Sequence, residues 1–229
     1  MAANSQKNTK PQILVIDVGG SNIKMIATGQ EERIKIPSEP DMTPEQMIKL
    51  VQEATAEWDY DHVALGIPCV VLHGEPATNP VNLGKGWIGF DFEKAFGVPT
   101  KVINDAAMQA YGCYHGGTML FLGFGTGLGT TLICDGTIIP LEAGHLPYRK
   151  KKSFEQYVGK KGFNKLGAEK WEKHVRKVIK ILRDAFNAED IVIGGGNAKL
   201  LDPMPKGTRR TDNGAAFTGG FRLWGEEHA

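Results

Sequence analysis

The sequence ILVIDVGGSNIKMI, residues 13–26, consists of an apolar run, a pair of glycines and a second, largely apolar run. This pattern predicts a buried strand, a tight turn and a returning strand, which together form a β-hairpin. The sequence LFLGFGTGLGTTLI, residues 120–133, has the same plan, with Gly125 at the place that Gly19 takes in the first copy. The repetition predicts a duplicated, two-lobed α/β fold in which each lobe presents one phosphate-facing hairpin.

Further strands and helices are predicted around these hairpins. Thr43-Pro44-Glu45 is typical of a helix start, because a hydroxyl N-cap precedes a proline at the first helical position and an acid in the first turn. Apolar residues at helical spacing predict a long amphipathic helix over residues 168–186. The other predicted elements are strands over 63–67, 98–103 and 191–193, a helix after Asp105 and a closing helix over 215–224.

The composition excludes several classes of protein. The 229 residues include 27 Lys and Arg against 26 Asp and Glu, so the chain lacks the charge excess typical of nucleic-acid or anionic-membrane binding. No apolar run approaches the roughly 18–20 residues of a membrane span. Cys69, Cys113 and Cys134 form no CxxC pair, as expected for buried thiols in a reducing compartment. We therefore expect a cytoplasmic protein without nucleic-acid or membrane partners, in which residues 1–10 form a disordered tail.

The turn of the first hairpin has the groups that an anion needs. Consecutive small residues let backbone N–H groups point outward at a phosphate, and Asp17 could hold a hydrated Mg²⁺ that also contacts phosphate oxygens. An ordinary hairpin turn is the alternative, since no Gly-Lys-Ser/Thr sequence closes the loop. The candidate phosphate- or nucleotide-binding residues are Asp17, Gly19, Gly20, Ser21, Asn22 and Lys24.

The second hairpin has glycines at four alternate positions around Thr126. They remove side chains from one edge of the turn, while the threonine hydroxyl remains available to a phosphate. A strand, not a helix, is predicted after Gly129, which argues against a dinucleotide-binding loop. The candidate phosphate-binding residues here are Gly125, Thr126 and Gly127, together with Gly194, Gly195 and Gly196 after the strand 191–193, where a simple tight turn is the alternative.

Two short motifs have side chains suited to acid–base chemistry and sugar binding. Asn104-Asp105 stands where a strand ends and a helix begins, and a carboxylate there could accept the proton of a hydroxyl that attacks a phosphoryl group. An Asp N-cap is the alternative. Glu142 and His145 could bind vicinal sugar hydroxyls or form half of a metal site, although no Cys or His cluster completes such a site.

The order of these features resembles that of the ROK family (repressors, open reading frames and kinases), and Asn-Asp-Ala at 104–106 and Glu-Ala-Gly-His at 142–145 are its most specific parts. The resemblance implies the two-lobed actin-like ATPase (ribonuclease H-like) fold with mixed sheets, with residues 1–104 plus about 212–229 as the smaller lobe and 105–211 as the larger. It also implies a homodimer. The roles it implies are Asp105 as catalytic base and Asn82, Asn104, Glu142 and His145 as sugar ligands.

The chain departs from the family pattern at three places. Residues 147–153 contain no cysteine where most members have a zinc-binding loop, so we expect no structural zinc. Glu155 resembles a family glutamate that contacts the sugar, with an exposed helix acid as the alternative. Cys69 stands where the family usually has a glycine, in a loop near the sugar, where a side chain could alter the choice of sugar.

Short, zinc-free members of the family are similar to polyphosphate glucokinases, and residues 85–89 and 125–129 resemble that branch. The resemblance implies transfer of a phosphoryl group from ATP and/or polyphosphate to the 6-hydroxyl of a hexose, glucose being favoured, with Mg²⁺ as cofactor. Residues 149–152 with Lys160 and Lys161 could form a basic track for polyphosphate, or simply a solvated surface.

Three other functions are less compatible with the sequence. A sugar-sensing repressor would need a DNA-binding domain, and the polar segment before the first strand is too short for one. A nucleotide-driven scaffold would not need the pairing of Asn104-Asp105 with Glu142 and His145. A catalytically weak protein that only binds sugar would not need Asp105.

Overall fold

The computed structural model describes residues 10–212 and 214–225, so the tail predicted for residues 1–10 lies, except for Lys10, outside the described residues. The strands are β1 (Ile13–Val18), β2 (Asn22–Ala27), β3 (Ile34–Pro37), β4 (His62–Ile67), β5 (Val71–Leu72), β6 (Glu75–Pro76), β7 (Thr100–Asn104), β8 (Thr118–Phe124), β9 (Leu128–Cys134), β10 (Thr137–Leu141), β11 (Pro147–Arg149), β12 (Lys152–Ser153), β13 (Asp190–Gly194) and β14 (Arg209–Arg210). The α-helices are α1 (Pro44–Ala54), α2 (Phe92–Phe96), α3 (Asp105–Cys113), α4 (Glu155–Val158), α5 (Lys160–Leu166), α6 (Ala168–Phe186) and α7 (Ala215–Arg222).

The two predicted hairpins each begin a five-stranded mixed sheet. The first sheet has the order β3-β2-β1-β4-β7, with β1 and β2 antiparallel and β1, β4 and β7 parallel. The second sheet has the order β10-β9-β8-β13-β14, with β8 and β9 antiparallel and β8, β13 and β14 parallel. The carboxyl ends of the parallel strands in each sheet therefore meet at one edge, close to the turn of its hairpin.

Each sheet is covered by helices whose apolar faces follow the predicted spacing. In α1, Thr43 and Gln46 form a capping box, and Met47 and Val51 are buried against the first sheet. In α6, apolar side chains such as Trp171 pack on the second sheet, while its other face is charged. Within the described residues, no helix combines the length and the apolar character that crossing a bilayer requires.

Two predicted boundaries were wrong by two residues. The strand predicted over 98–103 begins at Thr100, after Pro99, which has no backbone N–H to offer a neighbouring strand. The closing helix ends at Arg222 rather than Trp224. The Trp224 ring instead makes an edge contact with the ring of His62 and donates its indole N–H to the carbonyl of Val63, which holds the residues after α7 up to Trp224 against the first sheet.

Helices α3 and α7 lie between the two sheets. Met108 of α3 packs with residues of the first sheet and with Phe217 of α7, whereas Ala110 packs with residues of the second sheet. A Cβ on Gly112 would overlap the carbonyl oxygen of Ala215, and a Cβ on Gly219 would overlap that of Met108. The two helix backbones are thus in direct contact, which only glycine allows at these positions.

Gly112→Ala is expected to destabilise the protein by about 2–4 kcal/mol, because the added methyl group must push α7 away from α3. Urea unfolding followed by circular dichroism measures the change. Thr218→Ala, at a partly exposed position next to the same crossing, is the matched control and should shift the free energy of unfolding by less than about 0.5 kcal/mol. Equal stability of Gly112→Ala and the wild type would contradict the close helix contact.

Candidate active site

Asn104 forms the junction between β7 and α3. Its Oδ1 accepts a hydrogen bond from the N–H of Ala107 (3.0 Å), and its Nδ2 donates to the carbonyl of Cys69 (3.0 Å). Asn104 is therefore the N-cap of α3, and Asp105 occupies the first helical position. The alternative in which Asp105 is the cap is wrong, and its carboxylate remains available for chemistry.

Asp105 is brought close to Asp17 by the register of the first sheet. Asp17 is paired with Gly66 of β4, and Gly66 is paired with Ile103 of β7, so the ends of β1 and β7 lie at the same edge. A Cβ on Gly66 would lie 3.5 Å from the Cα of Asp105 and 2.5 Å from Met108 Cε. This role of Gly66 was not predicted from the sequence, in which a glycine at a strand end is its only signal.

The surroundings of Asp105 raise its pKa to about 7, mainly because burial disfavours the charged form and secondly because the charge of Asp17 is nearby. Glu142 adds a smaller effect in the same direction, whereas the N–H of Ala106, which donates to Asp105 Oδ1 (2.8 Å), favours the charged form. The side chain is partly exposed. Asp105 can therefore both take up and release a proton near neutral pH.

The first hairpin turns tightly beside this carboxylate. The N–H of Gly19 donates to the carbonyl of Asn22 (2.9 Å), so that group is used within the turn, and Gly20 and Ser21 at its tip are exposed. Lys24 lies across the hairpin from Asp17, with 3.3 Å between Nζ and Oδ2. The tip and this ion pair therefore face the edge at which Asp105 lies.

The loop before α2 places Asn82 over the first hairpin. A Cβ on Gly20 would lie 3.1 Å from the Cβ of Asn82, whose side chain is exposed. Leu83 and Trp87, which follow Asn82 in the same loop, are buried in the core of the first sheet. Of these three residues, Asn82 alone has a side chain accessible to a ligand.

The second hairpin also lies close to the first turn of α3, next to Asp105. A Cβ on Gly129 would lie 2.9 Å from the Cβ of Ala106, the residue after Asp105. At the tip, Thr126 is exposed, and the carbonyls of Gly125 and Thr126 accept hydrogen bonds from the N–H of Lys160 (3.0 and 3.1 Å). The start of α5 thus supports the turn from behind.

The triple glycine after β13 is joined to the second hairpin. Gly195 has a φ of +80°, and the next turn places Asn197 so that its Nδ2 donates to the carbonyl of Gly125 (3.3 Å). Gly194 is buried beside Phe121, whereas Gly196 is exposed, and a Cβ there would have open space around it. The structure therefore groups Gly194–Gly196 with Gly125–Gly127 at one edge.

Glu142 and His145 lie at the open side of the site. Their side chains are 53% and 66% exposed, and 3.6 Å separates His145 Nδ1 from Glu142 Oε2. Glu155 lies beneath the second hairpin, where its Oε2 accepts from the N–H of Leu128 (3.4 Å) and lies against Gly127. Glu155 is partly buried, so the alternative of an exposed helix acid is wrong.

The residues fit a divalent cation at Asp17. The charge of Asp17 lies close enough to Asp105 to disfavour the ionisation of Asp105, and a cation would relieve that repulsion. One carboxylate together with phosphate oxygens and water is the usual environment of Mg²⁺. No group of three or more His, Cys, Asp or Glu side chains placed to hold a metal occurs within residues 10–212 and 214–225.

Comparisons with known proteins decide the family. The ROK family matches residues 13–162. The chain is 32% identical over 209 residues to the polyphosphate glucokinase of Mycobacterium tuberculosis (strain CDC 1551 / Oshkosh), with 82% of this chain and 78% of that protein covered. The chain belongs to the ROK family. The predicted family is thereby confirmed, and the kinase names among the relatives support the expected glucokinase-like enzyme class.

Other ROK proteins are similar over different extents. The N-acetylmannosamine kinase of Salmonella newport (strain SL254) is 31% identical over 154 residues, which cover 58% of this chain and 52% of that protein. The crystal structure of the inorganic polyphosphate/ATP-glucomannokinase from Arthrobacter sp. strain KM superposes with a TM-score of 0.80 at 24% identity, covering 94% of this chain and 98% of that one. The actin-like ATPase fold predicted for this ROK protein is confirmed.

Asp105→Asn is expected to gain stability relative to the wild type as the pH rises. When folding raises the pKa of a carboxyl from 3.8 to about 7, the folded protein loses stability as the pH rises between those two values. The isosteric amide carries no charge and adds no such dependence on pH. The stability of the variant relative to the wild type should therefore increase from pH 4 to pH 7.5, by roughly 1–3 kcal/mol.

Urea unfolding at a series of pH values measures this difference. Asp59→Asn, at an exposed position, is the matched control, and its difference from the wild type should change little over the same range. A constant difference for Asp105→Asn would show that Asp105 is not held in an environment that disfavours its charge.

Proposed function

We propose that this ROK protein transfers a phosphoryl group to the 6-hydroxyl of a hexose, most readily glucose, with Asp105 as the general base. The observation that carries the proposal is the placement of Asp105, with its pKa of about 7, between two glycine turns. A base whose pKa is near the working pH accepts a proton readily from an alcohol. The glucokinase name of the Mycobacterium tuberculosis relative supports glucose.

The remaining residues have roles around this base. Asn82, Glu142 and His145 present accessible polar groups that can bind sugar hydroxyls. Asn104 has both ends of its amide engaged within the protein, so it also serves to place Asp105 on α3. Glu155, which lies against the second hairpin, would contact the sugar from the side of the phosphate.

The two hairpins would hold the phosphate chain. Exposed turn residues at Gly20 and Ser21 and at Thr126 offer N–H and hydroxyl groups to phosphate oxygens. When bound through Asp17, Mg²⁺ neutralises charge on the phosphates and so assists transfer. Lys24, paired with Asp17, adds a positive charge at the same edge.

We further propose that the site closes by movement of two lobes, residues 1–104 plus about 212–229 and residues 105–211. Support comes from α3, which packs with the first sheet through Met108 and with the second through Ala110. Closure would exclude water from the donor and bring Glu142 and His145 towards the bound hexose.

We include polyphosphate among the proposed phosphoryl donors. Lys160 starts α5 directly behind the carbonyls of Gly125 and Thr126, and Lys161 follows it, both with exposed side chains. Residues 149–152 form the turn of the β11–β12 hairpin, which precedes α4. Several lysines beside a phosphate-facing turn attract a polyanion more strongly than a single nucleotide.

The proposed reaction is tested with purified protein and Mg²⁺, using glucose, mannose and N-acetylmannosamine as acceptors and ATP and polyphosphate as donors. Glucose 6-phosphate should form with at least one donor, and its rate of formation should fall as the pH drops below about 7, because Asp105 becomes protonated. Asp105→Asn should lower kcat by at least about a thousandfold and change glucose affinity by only a few fold.

Each outcome of this assay separates one possibility from the others. Near-normal turnover in Asp105→Asn would remove Asp105 from the role of base. Phosphorylation of N-acetylmannosamine alone would support a sugar kinase but contradict glucose as its acceptor. Sugar binding without turnover with either donor would identify a catalytically weak sugar-binding protein instead.

Replacing both Lys160 and Lys161 by Gln should raise the KM for polyphosphate about threefold to tenfold and make it less dependent on salt, since the lost attraction is electrostatic. The KM for glucose should stay unchanged. Initial rates at several polyphosphate and NaCl concentrations give both values. Lys49→Gln, an exposed lysine on α1, is the matched control, and an equal effect of both variants would contradict a local basic track.

A further inference from the structure

The segment that carries Glu142, His145 and Glu155 is built from very short elements. Strand β11 has three residues, β12 has two and α4 has four. Elements of this length are not stable by themselves. The backbone bond from the N–H of Phe154 to the carbonyl of Leu146 (3.1 Å) joins the two ends of the segment. The N–H of Ala143 donates to Thr130 Oγ1 (3.1 Å) and the indole N–H of Trp171 donates to the carbonyl of Val158 (2.7 Å), and side-chain packing adds to these links with the rest of the lobe.

An aromatic cluster of Tyr148, Phe154, Tyr157 and His174 supplies that packing. The Tyr148 hydroxyl lies 2.9 Å from His174 Nδ1. The ring of Tyr157 lies 4.7 Å from that of His174 and 5.2 Å from that of Tyr148, and the ring of Phe154 lies 5.2 Å from that of Tyr148. Tilted and edge-to-face contacts at such distances each add to the burial energy of the rings. The cluster thereby ties β11 and α4 to α6, which is the longest helix of the described residues.

The hydrogen bond in this cluster joins two uncharged groups near neutral pH. Burial is the main factor that lowers the pKa of His174, and the nearby charges of Arg149 and Lys177 act in the same direction. Burial likewise raises the pKa of Tyr148, with Tyr157 adding to the effect and Arg149 opposing it. Neither partner therefore needs a counter-ion to remain in the cluster.

The cluster is adjacent in sequence to two of the proposed sugar ligands, His145 and Glu155. Tyr148 follows His145 by three residues, and Tyr157 follows Glu155 by two. Glu142 and His145 are more than half exposed and lie 3.6 Å apart, so their own contact cannot fix their positions. Their orientation follows from the backbone, which is anchored on one side at Ala143, whose N–H donates to Thr130 Oγ1 (3.1 Å), and on the other side at Tyr148 by the cluster.

We propose that Tyr148 and His174 are positioning residues for hexose binding, whose hydrogen bond and packed rings fix the segment of Glu142 and His145 relative to the helix of Glu155. The inference rests on the proposed function, because it assigns these three side chains to the sugar. It predicts that loosening the cluster weakens hexose binding and leaves the chemistry at Asp105 and the donor site unchanged.

Tyr148→Phe removes the hydroxyl and keeps the ring. It should raise the hexose KM and the Kd for hexose measured by calorimetry about threefold to tenfold, the size expected for one lost hydrogen bond. The value of kcat and the KM of the donor should stay within about twofold. His174→Phe should have the same effect, and the double variant should be no worse than either single one, because both changes remove the same bond. His174→Asn, whose amide can take the place of Nδ1, should restore most of the hexose affinity.

Tyr114→Phe is the matched control. The Tyr114 hydroxyl donates to the carbonyl of Gly117 (3.0 Å) and accepts from the N–H of Gly136 (2.9 Å), at a turn that carries none of the proposed sugar ligands. This variant should lose stability while its hexose KM and Kd stay unchanged. The comparison with this control distinguishes a general loss of protein stability from a displacement of the proposed sugar ligands.

The outcomes separate this inference from the proposed function. An active wild type whose hexose KM and Kd are unchanged in Tyr148→Phe would overturn the positioning role alone. Additive effects of Tyr148→Phe and His174→Phe, or an equal rise in the donor KM, would overturn it as well. A wild type that neither binds nor phosphorylates any of the hexoses would overturn both.

Discussion

The placement of α3 is the constraint on which the rest of the structure depends. The first turn of this helix touches the first sheet at Gly66 and the second hairpin at Gly129, and its later part crosses α7 at Gly219. Helices normally pack with their axes about 8–10 Å apart because side chains lie between them. At Gly129 and Gly219 the missing side chain lets the helix come closer, and at Gly66 it leaves room for the side chain of Met108, so α3 is held on three sides. The carboxylate of Asp105 at its first turn has correspondingly little freedom to move.

This placement has an electrostatic cost that serves the chemistry. A carboxylate in partly buried surroundings beside Asp17 is less stable when charged. Raised pKa values of this kind are concentrated at functional sites, where a group must exchange protons near neutral pH. Asn104 adds to the arrangement because it caps α3 in place of Asp105, whose Oδ1 accepts from the adjacent N–H of Ala106 within the first turn. In the proposed function, this loss of stability falls on the group that must accept a proton.

Alternation of apolar and glycine residues was sufficient to predict the two hairpins, because it reflects strands and turns directly, whereas the mixed sheets were predicted from the resemblance to the ROK family. The residue that caps α3 could not be predicted, since Asn and Asp are equally good caps and the choice depends on the carbonyl of Cys69, which is distant in sequence. The partial burial of Glu155 depends on the approach of α4 to Gly127. Such contacts between distant segments leave no periodic signal in the chain.

The two halves of the candidate site are positioned by different physical means, and this difference determines how each responds to change. Asp105 is placed by close contacts of α3 at glycines such as Gly129 and Gly219, where a larger residue forces a shift of the helix. Glu142 and His145 lie on a segment that, in our proposal, is positioned by the packed rings of Tyr148 and His174, where several substitutions would keep most of the contact area. Under the proposed function, such a protein would keep its proton acceptor fixed while the residues that bind the sugar could vary. Relatives that act on different sugars within one family are what such a division would allow.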